Sequence, residues 1–363
     1  MFNVAIIGAG RIGSSIAKLL YHTHNYQLLV IDSKAEALDQ FSDIKEIKTC
    51  QLDLHDKKQL LKALSGYSAV ISACPYNESV DVAQAALEIG ASYFDLTEDV
   101  KASEAIYKMS AQAKKGQVFV PQCGLAPGFI SILAAYIFNQ FDEINDLKLR
   151  VGALPEFPSN LMMYNLTWST DGLINEYCNP CPAIKHGKQV ELIPLEGLEN
   201  FSLDGVEFEA FNTSGGLGTL CRTLDGKVEN LNYKTVRYKG HQHLMSFLIG
   251  GLKLGKRQQL LKKIFENAVA TTMQDVVVIL VSGTGIVDGQ LRQISESRRI
   301  YHADIFGEHW SAIQITTAAS ICAVVDLFFN QQLPEANFIK QEDIPFDLFI
   351  NNRFGKYFQT HNS

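Results

Sequence analysis

The feature that most constrains the fold is a short apolar run that passes directly into three spaced glycines. Residues 3–8 read NVAIIG, and Gly8, Gly10 and Gly13 follow the spacing G-x-G-x-x-G at the start of a predicted helix. An uninterrupted apolar strand is typical of a parallel sheet that is buried on both faces. Gly8 then permits a tight turn, Gly10 lets the backbone approach a pyrophosphate, and Gly13 lets helix and strand pack closely. The pattern predicts a dinucleotide-binding unit with the pyrophosphate at the helix N-terminus.

An acidic residue ends the second apolar run. Asp32 lies 19 positions after Gly13 (32 − 13), close to the roughly 20 residues expected for the acid that accepts the ribose 2′-OH. A carboxylate there repels a 2′-phosphate, so NAD is predicted, with NADP still possible because Lys34 would attract that phosphate. The alternative is that Asp32 is a turn or capping residue. The positions assigned to the cofactor, some only because they follow predicted strands, are Gly8, Gly10, Arg11, Ile12, Gly13, Asp32, Ser33, Asp53, Ala73, Cys74 and Pro75.

Strand-like and helix-like segments then alternate, which predicts a doubly wound parallel sheet of the Rossmann type. Ser33 is predicted to cap the second helix. The predicted strands are 3–8, 27–31, 48–53, 69–73, 93–96 and 117–121. The predicted helices are 11–21, 35–41, 57–64, 80–89 and 104–115.

After CGLAPGF at 123–129, strand-like segments follow one another without a helix between each pair. This predicts a second α+β domain on a mixed or antiparallel sheet. Its predicted strands are 147–153, 163–168, 190–194, 207–212, 233–238 and 276–282, and its helices 170–177, 241–250 and 257–270. Gly283-Thr284-Gly285 is interpreted as a hairpin turn. The predicted regions are a dinucleotide domain at 1–125, a substrate and dimerisation domain at 126–310, and a C-terminal helix and tail at 311–363.

Composition excludes several other classes. A net charge of −7 disfavours nucleic acid as a partner, because that binding needs a concentrated basic face. No secretory signal precedes the first strand and Asp326 interrupts the longest apolar run, so a cytoplasmic protein without membrane association is expected. Seven scattered cysteines predict free thiols. Cys178 and Cys181 have the spacing of half a zinc site, but no second pair follows, so no metal is predicted.

Several longer motifs resemble the saccharopine dehydrogenase-like family, and within it the compact lysine 6-dehydrogenase type. They are VAIIGAGRIG, YFDLTED at 93–99, CGLAPGF at 123–129, GALPE at 152–156, YNLTWSTDGLINEYCNP at 164–180, EAFNTSGGLGTL at 209–220 and YKTVRYKGH at 233–241. The resemblance spans nearly the whole chain. It implies NAD(P)-dependent oxidation of a carbon–nitrogen bond in an amino acid such as lysine or saccharopine, usually by a homodimer, and a C-terminal segment that returns to the Rossmann domain.

Such a reaction needs a group that takes a proton from the amine. Asp95 and Glu98 follow a predicted strand at the nicotinamide end of the sheet, and His241 has an imidazole suited to proton transfer near neutral pH. Arg237 offers a bidentate fork for a substrate carboxylate. A crevice at the strand carboxyl ends would bring these groups together. The alternatives are that the acids cap a helix beginning near Ser103, and that the other two side chains are structural.

Further residues are predicted to line the substrate pocket because they end strand-like segments, or in one case because a thiol would lie near the nicotinamide. They are Trp168, Ser169, Thr170, Thr213, Ser214 and Cys123. A core tryptophan and a buried inert thiol are the alternatives. Two other functions remain open from the sequence: a non-catalytic NAD-binding sensor or scaffold, and a dinucleotide-dependent carbonyl reductase.

Overall fold

The computed structural model describes residues 1–359, and the last four residues of the predicted C-terminal region lie outside that range. The chain divides into two compact units. Unit 1 comprises Met1–Ile132 and Thr316–Tyr357, and unit 2 comprises Leu133–Ile315 together with Phe358 and Gln359. The C-terminal segment thus rejoins the unit that carries the glycine motif.

Unit 1 is built on a six-stranded parallel sheet in the order β3-β2-β1-β4-β5-β6. This is the strand order of the doubly wound dinucleotide-binding fold. The strands are β1 Phe2–Ile7, β2 Tyr26–Asp32, β3 Ile47–Gln51, β4 Ala69–Ser72, β5 Ser92–Asp95 and β6 Phe119–Val120. The helices that follow are α1 Arg11–Tyr21, α2 Ala35–Leu38, α3 Lys57–Leu64, α4 Tyr76–Ile89 and α5 Val100–Ser110, while α6 Phe129–Phe138 begins in unit 1 and ends in unit 2.

Two helices begin earlier than the sequence predicts, and local chemistry explains both. Helix α4 begins at Tyr76, directly after Pro75 at its N-cap; a proline before a helix lacks only an N–H that would have no partner there. Helix α5 begins at Val100 because the Asp99 carboxylate accepts from the Ala102 N–H. Ser33 does not cap α2, whose N-cap is Lys34.

The C-terminal part of unit 1 begins within α11, Ala312–Phe329, and continues to α12, Phe346–Asn351. By length and composition alone α11 could span a membrane, but 78% of it is buried within the protein. Its Asp326 accepts hydrogen bonds from the hydroxyl of Tyr26 at 2.6 Å and from Arg353 at 2.5 Å. These contacts make α11 a core helix of unit 1.

Unit 2 is built on an eight-stranded mixed sheet in which six strands follow the order β10-β11-β12-β7-β13-β14, while β8 pairs with β12 and β9. Strands β7 and β12 are parallel and their other pairings are antiparallel. The strands are β7 Glu143–Pro155, β8 Cys181–Lys185, β9 Lys188–Leu192, β10 Glu199–Leu203, β11 Val206–Asn212, β12 Val228–Tyr238, β13 Asp275–Val287 and β14 Gln290–Tyr301. A separate hairpin joins β15 Ala303–Ile305 to β16 Glu308–Trp310. The predicted fold class, a Rossmann domain followed by an α+β domain on a mixed sheet, is confirmed.

In chain order, the helices of unit 2 alternate with groups of these strands. They are α7 Thr170–Cys178, α8 Leu220–Thr223, α9 His241–Ser246 and α10 Gln258–Ala268. The helix predicted at 241–250 changes after Ser246 into a π-helical turn, Phe247–Gly251. A 3₁₀ turn at Leu254–Lys256 then leads into α10.

Two sequence predictions in unit 2 are wrong. Residues 163–168 form no strand; only Leu166 makes a bridge, to Thr271, because the Asn160 side chain bonds the Tyr164 backbone and holds the segment in a local turn. Residues 283–285 lie inside β13, and the hairpin turn follows at Asp288 and Gly289. The glycines are needed there because a Cβ on Gly285 would lie 2.2 Å from the Glu143 carbonyl oxygen of β7.

Candidate functional site

The glycine loop of unit 1 has the geometry of a dinucleotide cradle. Gly8 has φ +99°, and a Cβ there would lie 2.8 Å from the Ala73 carbonyl oxygen. A Cβ on Gly13 would lie 1.9 Å from the Gly8 carbonyl oxygen, so close packing excludes any side chain. A Cβ on Gly10 would meet nothing within 4 Å. The protein's own packing therefore does not require Gly10, and the space beside it is open to a ligand.

The N-terminus of α1 supplies the donors. No side chain caps α1 at Gly10, and the first intrahelical bond is made by Ser14, 2.9 Å from the Gly10 carbonyl oxygen. The N–H groups of Arg11, Ile12 and Gly13 consequently have no intrahelical partner, and the helix dipole adds positive potential at this point. The loop fits the pyrophosphate of a dinucleotide.

Asp32 holds this loop in place. Its Oδ2 accepts from the Ala9 N–H at 2.7 Å and its Oδ1 accepts from the Lys34 N–H at 2.9 Å. Each carboxylate oxygen keeps a second lone pair for a ribose hydroxyl. Both Ser33 and Lys34 are exposed beside it.

The remaining predicted cofactor positions follow β3 and β4. Asp53 is exposed and its Oδ1 accepts from the His55 N–H at 3.0 Å. Ala73 borders the glycine loop, and Pro75 begins α4. The Cys74 thiol donates to the Ile7 carbonyl oxygen at 3.4 Å, and burial raises the pKa of Cys74 to about 12. Cys74 is thus a neutral thiol at neutral pH.

Asp95, one of the predicted proton acceptors, is a buried structural carboxylate. It is 0% exposed, and its Oδ1 accepts from the N–H groups of Thr97 at 3.0 Å and Gln122 at 2.8 Å. Its Oδ2 accepts from the Tyr93 hydroxyl at 2.9 Å. Burial raises the pKa of Asp95 to about 6, although these hydrogen bonds oppose the shift. Asp95 therefore connects the two loops that follow β5 and β6, and it has no surface at which to touch a substrate.

Glu98 and Asp99 have different roles. Asp99 caps α5, as the structural alternative allows. Glu98 is half-buried, and burial, with a smaller contribution from the Asp99 charge, raises the pKa of Glu98. A raised carboxyl pKa suits a general base. Glu98 therefore remains the acid–base candidate of unit 1.

Cys123 does not line a pocket. Its side chain is 0% exposed, and its thiol contacts the Val120 carbonyl oxygen at 3.0 Å and the Gln341 amide nitrogen at 3.2 Å. Burial holds the pKa of Cys123 well above its usual value. The predicted substrate role of Cys123 is corrected to that of a buried inert thiol.

In unit 2 the structure brings Arg237 and His241 together through a tyrosine that sequence reasoning missed. Arg237 Nε donates to the Tyr177 hydroxyl at 2.9 Å, and this hydroxyl lies 3.1 Å from His241 Nε2. His241 Nδ1 lies 2.9 Å from the Met162 carbonyl oxygen. A carbonyl only accepts, so Nδ1 carries the proton and Nε2 accepts from Tyr177. The result is a continuous buried chain of hydrogen bonds.

This chain leaves His241 without a free nitrogen that could act as a base. The ring is 0% exposed and both nitrogens are bonded. Burial, and next the Arg237 cation, lower the pKa of His241 to about 3, so the imidazole does not take up a proton near neutral pH. Its neutral state orients Tyr177, and Tyr177 orients the guanidinium.

Arg237 is a buried cation in an aromatic surround. It is 2% exposed, and its Cζ lies 5.0 Å from the ring centroid of Tyr164 and 5.8 Å from that of Tyr177. Burial disfavours the charge, but Tyr177, Tyr164 and Glu176 outweigh it, so the pKa of Arg237 is raised. Nε and Nη1 donate within the protein, while Nη2 donates to no described residue.

Glu176 and Tyr164 complete this group, and neither was singled out from the sequence. Burial is the largest influence on the pKa of Tyr164 and Tyr177, and the negative charge of Glu176 raises the pKa of both. The Tyr164 hydroxyl is buried without a hydrogen-bond partner among the described residues. Glu176 and Tyr164 both lie in the family motif at 164–180, and that motif was the only feature of the sequence that pointed to them. We call Tyr164, Glu176, Tyr177, Arg237 and His241 the arginine cluster.

The other predicted pocket residues lie at the start of α7 or directly after the end of β11. The Trp168 indole covers Gly172, where a Cβ would lie 2.3 Å from the ring, and Ser169 caps α7 through the Gly172 N–H. Thr170 is the buried first residue of that helix. Two hydroxyls are hydrogen-bonded within unit 2: Thr213 donates to the Thr235 hydroxyl at 3.0 Å, and Ser214 donates to the Asn175 carbonyl oxygen at 3.1 Å.

Among residues 1–359, no group of three or more His, Cys, Asp or Glu side chains is placed to hold a metal.

A Rossmann unit with an intact glycine loop, followed in the chain by a mixed-sheet unit with a buried arginine, defines the class of two-unit dinucleotide-dependent proteins. Two family models match the chain: the saccharopine dehydrogenase NADP binding domain at residues 4–120 and the saccharopine dehydrogenase C-terminal domain at 124–358. The chain belongs to the saccharopine dehydrogenase family. The resemblance to this family is confirmed, the lysine 6-dehydrogenase type within it stays a prediction, and the first unit is an NAD(P)-binding domain.

Relatives of known name agree with this placement. The chain is 24% identical over 262 residues to saccharopine dehydrogenase [NADP(+), L-glutamate-forming] of Schizosaccharomyces pombe, covering 69% of this chain and 57% of that protein. It is 22% identical over 275 residues to the mitochondrial alpha-aminoadipic semialdehyde synthase of Rattus norvegicus, covering 69% of this chain and 28% of that protein. The chain therefore matches about half of the first relative and a smaller part of the second.

Solved structures show the same fold. Apo saccharopine dehydrogenase (L-Glu forming) from Saccharomyces cerevisiae superposes with a TM-score of 0.82 at 15% identity, covering 98% of both chains. The homospermidine synthase of Legionella pneumophila, solved with NAD, superposes with a TM-score of 0.68 at 13% identity, covering 99% of this chain and 90% of that one.

Proposed function

We propose that this protein is an NAD(P)-dependent oxidoreductase that oxidises a carbon–nitrogen bond of an α-amino acid. The observation that carries the proposal is the arginine cluster, in which Nη2 of the buried Arg237 cation donates no hydrogen bond to a described residue. A buried guanidinium with a spare donor recognises a carboxylate through charge-assisted hydrogen bonds. The names of the relatives in fission yeast and budding yeast support amino-acid chemistry over the reduction of a simple carbonyl.

The residues of unit 1 fit the dinucleotide. The N–H groups at the start of α1 would hold the pyrophosphate, and Asp32 would hold the adenine ribose. When bound, the nicotinamide supplies the acceptor for a hydride from the substrate carbon. Substrate binding and proton transfer would be performed by side chains of the protein.

The side chains of the protein would bind the substrate and accept a proton from it. Arg237 would bind the substrate carboxylate, and Tyr177 with His241 would hold its guanidinium in one orientation. The amine nitrogen must be neutral when the hydride leaves, so a carboxylate has to accept its proton. The half-buried carboxylates Glu98 in unit 1 and Glu176 in unit 2 are our candidates for this step.

The test is spectrophotometric screening for NADH and NADPH formation with lysine, saccharopine, ornithine and polyamines. Turnover with an amine that also carries a carboxylate supports the proposal. Turnover only with polyamines, which lack a carboxylate, would remove the role given to Arg237. Tight cofactor binding without turnover on any amine would favour a non-catalytic sensor, and NADH consumption with carbonyl compounds alone would favour the carbonyl reductase.

We expect NAD to bind at least about tenfold more tightly than NADP, because the Asp32 carboxylate would face the extra phosphate of NADP. Calorimetric titration with both dinucleotides measures the ratio. Replacing Asp32 with asparagine is expected to bring the two dissociation constants within about threefold, because asparagine keeps one acceptor and removes the charge. Equal affinities in the unmodified protein would mean that Lys34 dominates.

Replacing Asp32 with alanine is also expected to destabilise the protein. Asp32 accepts from the backbone of Ala9 and of Lys34, so Asp32→Ala leaves two donors without this partner. We expect a loss of about 1–3 kcal/mol in the free energy of unfolding, measured by urea denaturation. Removing a surface acid without such hydrogen bonds would cost almost no stability.

We also propose a homodimer formed through unit 2. Strand β14 lies at the end of the sheet and is mostly exposed along its twelve residues, and symmetric pairing would cover such an edge. Light scattering is expected to give twice the mass of the 40.3 kDa chain at micromolar concentration. A monomer mass across that range would refute the pairing.

A further inference from the structure

A basic and apolar surface lies on the outside of residues 247–264 in unit 2. The segment runs from the π-helical turn through the 3₁₀ turn into α10. Residues 247–267 carry five cations, Lys253, Lys256, Arg257, Lys262 and Lys263, against the single anion Glu266, a net charge of 5 − 1 = +4 in a chain whose total charge is −7. This concentration of positive charge opposes the sign of the whole protein.

The inner side of the segment is firmly packed. Leu254 and Leu261 of the segment, and Met245 and Phe265 that flank it, are all at most 7% exposed and belong to the core cluster that also holds Tyr177. The 3₁₀ turn lies against the π-helical turn, because a Cβ on Gly255 would be 2.9 Å from the Ile249 side chain. The outer surface is therefore carried on an ordered platform.

Large apolar side chains nevertheless point outward from it. Phe247 is 55% exposed, Leu252 53%, Leu260 44% and Ile264 39%. Leu260 and Ile264 are four residues apart on α10 and share one face, beside the buried pair Leu261 and Phe265. The apolar face of α10 is thus wider than the core needs.

Most of the cations between these side chains form no ion pair with a described residue. Lys253, Lys256, Arg257 and Lys263 are exposed and, within residues 1–359, form no ion pair. Lys262 differs, since its Nζ lies 2.6 Å from Asp171. Four free cations interleaved with four exposed apolar side chains match the chemistry of an anionic amphiphilic surface.

We propose that this surface, called the basic–apolar patch, docks the protein on the anionic face of a lipid bilayer. The apolar side chains would enter the interface and the cations would contact lipid phosphates and carboxylates. A second copy of the chain fits less well, because symmetric pairing would bring four cations against four cations. Nucleic acid would use the cations but not the exposed leucine and isoleucine.

The test is flotation of the full-length protein with vesicles of phosphatidylcholine alone and of phosphatidylcholine with 30% phosphatidylserine. Binding is expected only to the anionic vesicles and is expected to weaken in 0.5 M salt. Replacing Lys253, Lys256 and Arg257 with glutamine should lower the partition coefficient by about fivefold for each charge removed. A matched control replaces the exposed Lys45, Lys48 and Lys101 of unit 1 with glutamine and should bind as the unmodified protein does.

A second pair of variants tests the apolar contribution. Leu252→Ser with Leu260→Ser should lower binding at least tenfold, whereas Ile193→Ser with Leu198→Ser, comparably exposed positions outside the patch, should not. Hydrogen exchange at 252–264 should slow when anionic vesicles are added. The proposal is overturned if the protein does not bind anionic vesicles, if patch and control variants lose binding equally, or if patch-dependent binding is found for DNA and not for vesicles. Amine oxidation in solution is expected to be unchanged in every one of these variants, so this test is independent of the proposed activity.

Discussion

Replacing Arg237 with lysine is expected to lower kcat/KM on the amino-acid substrate by about 5- to 150-fold, almost entirely through a higher KM. Lysine keeps a positive charge, but it lacks the planar fork that binds a carboxylate and a tyrosine hydroxyl at once. The expected factor corresponds to about 1–3 kcal/mol for hydrogen bonds to a charged group. Steady-state kinetics with the substrate from the amine screen measures it.

Arg292→Lys on the exposed part of β14 is the matched control, and its kinetics should be unchanged. An Arg237→Lys enzyme with the KM of the unmodified protein would show that the substrate carboxylate binds elsewhere. A fall in kcat with unchanged KM would instead place Arg237 close to the reacting atoms. Thermal melting of both variants separates a local effect from loss of the fold.

Replacing Asp95 with asparagine is expected to make the protein more stable at pH 7.5, by up to about 3 kcal/mol. Burial raises the pKa of Asp95 from 3.8 to about 6, so the folded protein holds this proton more tightly than the unfolded chain. The stabilising contribution is therefore complete below about pH 4 and is lost as the pH rises through 6. The difference of 2.2 pH units corresponds to about 3 kcal/mol.

The hydrogen bonds around Asp95 explain why asparagine suits this position. The Tyr93 hydroxyl has one proton but lies near two acceptors, the Ser79 carbonyl oxygen at 3.0 Å and Asp95 Oδ2 at 2.9 Å. An asparagine amide would donate to Tyr93, which would then donate to Ser79. Its amide oxygen would keep the bonds from Thr97 and Gln122.

Urea denaturation at several pH values measures this effect. The stability gain of Asp95→Asn should shrink toward zero between pH 6 and pH 4. Asp326→Asn provides a contrasting control, since that buried carboxylate is paired with Arg353 and its neutralisation should destabilise the protein at pH 7.5. A destabilised Asp95→Asn protein at pH 7.5 would mean that the ionised carboxylate is favoured by its surroundings.

The sequence by itself determined the parts of the protein that depend on short-range chemistry. The glycine spacing, the acid after the second strand and the alternation of apolar segments established the Rossmann unit, because each depends on residues close together in the chain. The longer motifs established the family. Local capping was less accessible: Asp99 starts α5 earlier than the apolar pattern indicates.

Only the tertiary structure decided the roles of the candidate side chains. Asp95, Cys123 and His241 look reactive in the sequence, but residues remote in the chain bury each of them and occupy their polar atoms. Tyr177 lies 60 residues from Arg237 and 64 from His241, so no spacing reveals that it joins them. Burial and charge act through space: they leave His241 without a free nitrogen for proton transfer, and they place Glu176 and Tyr164 in the arginine cluster.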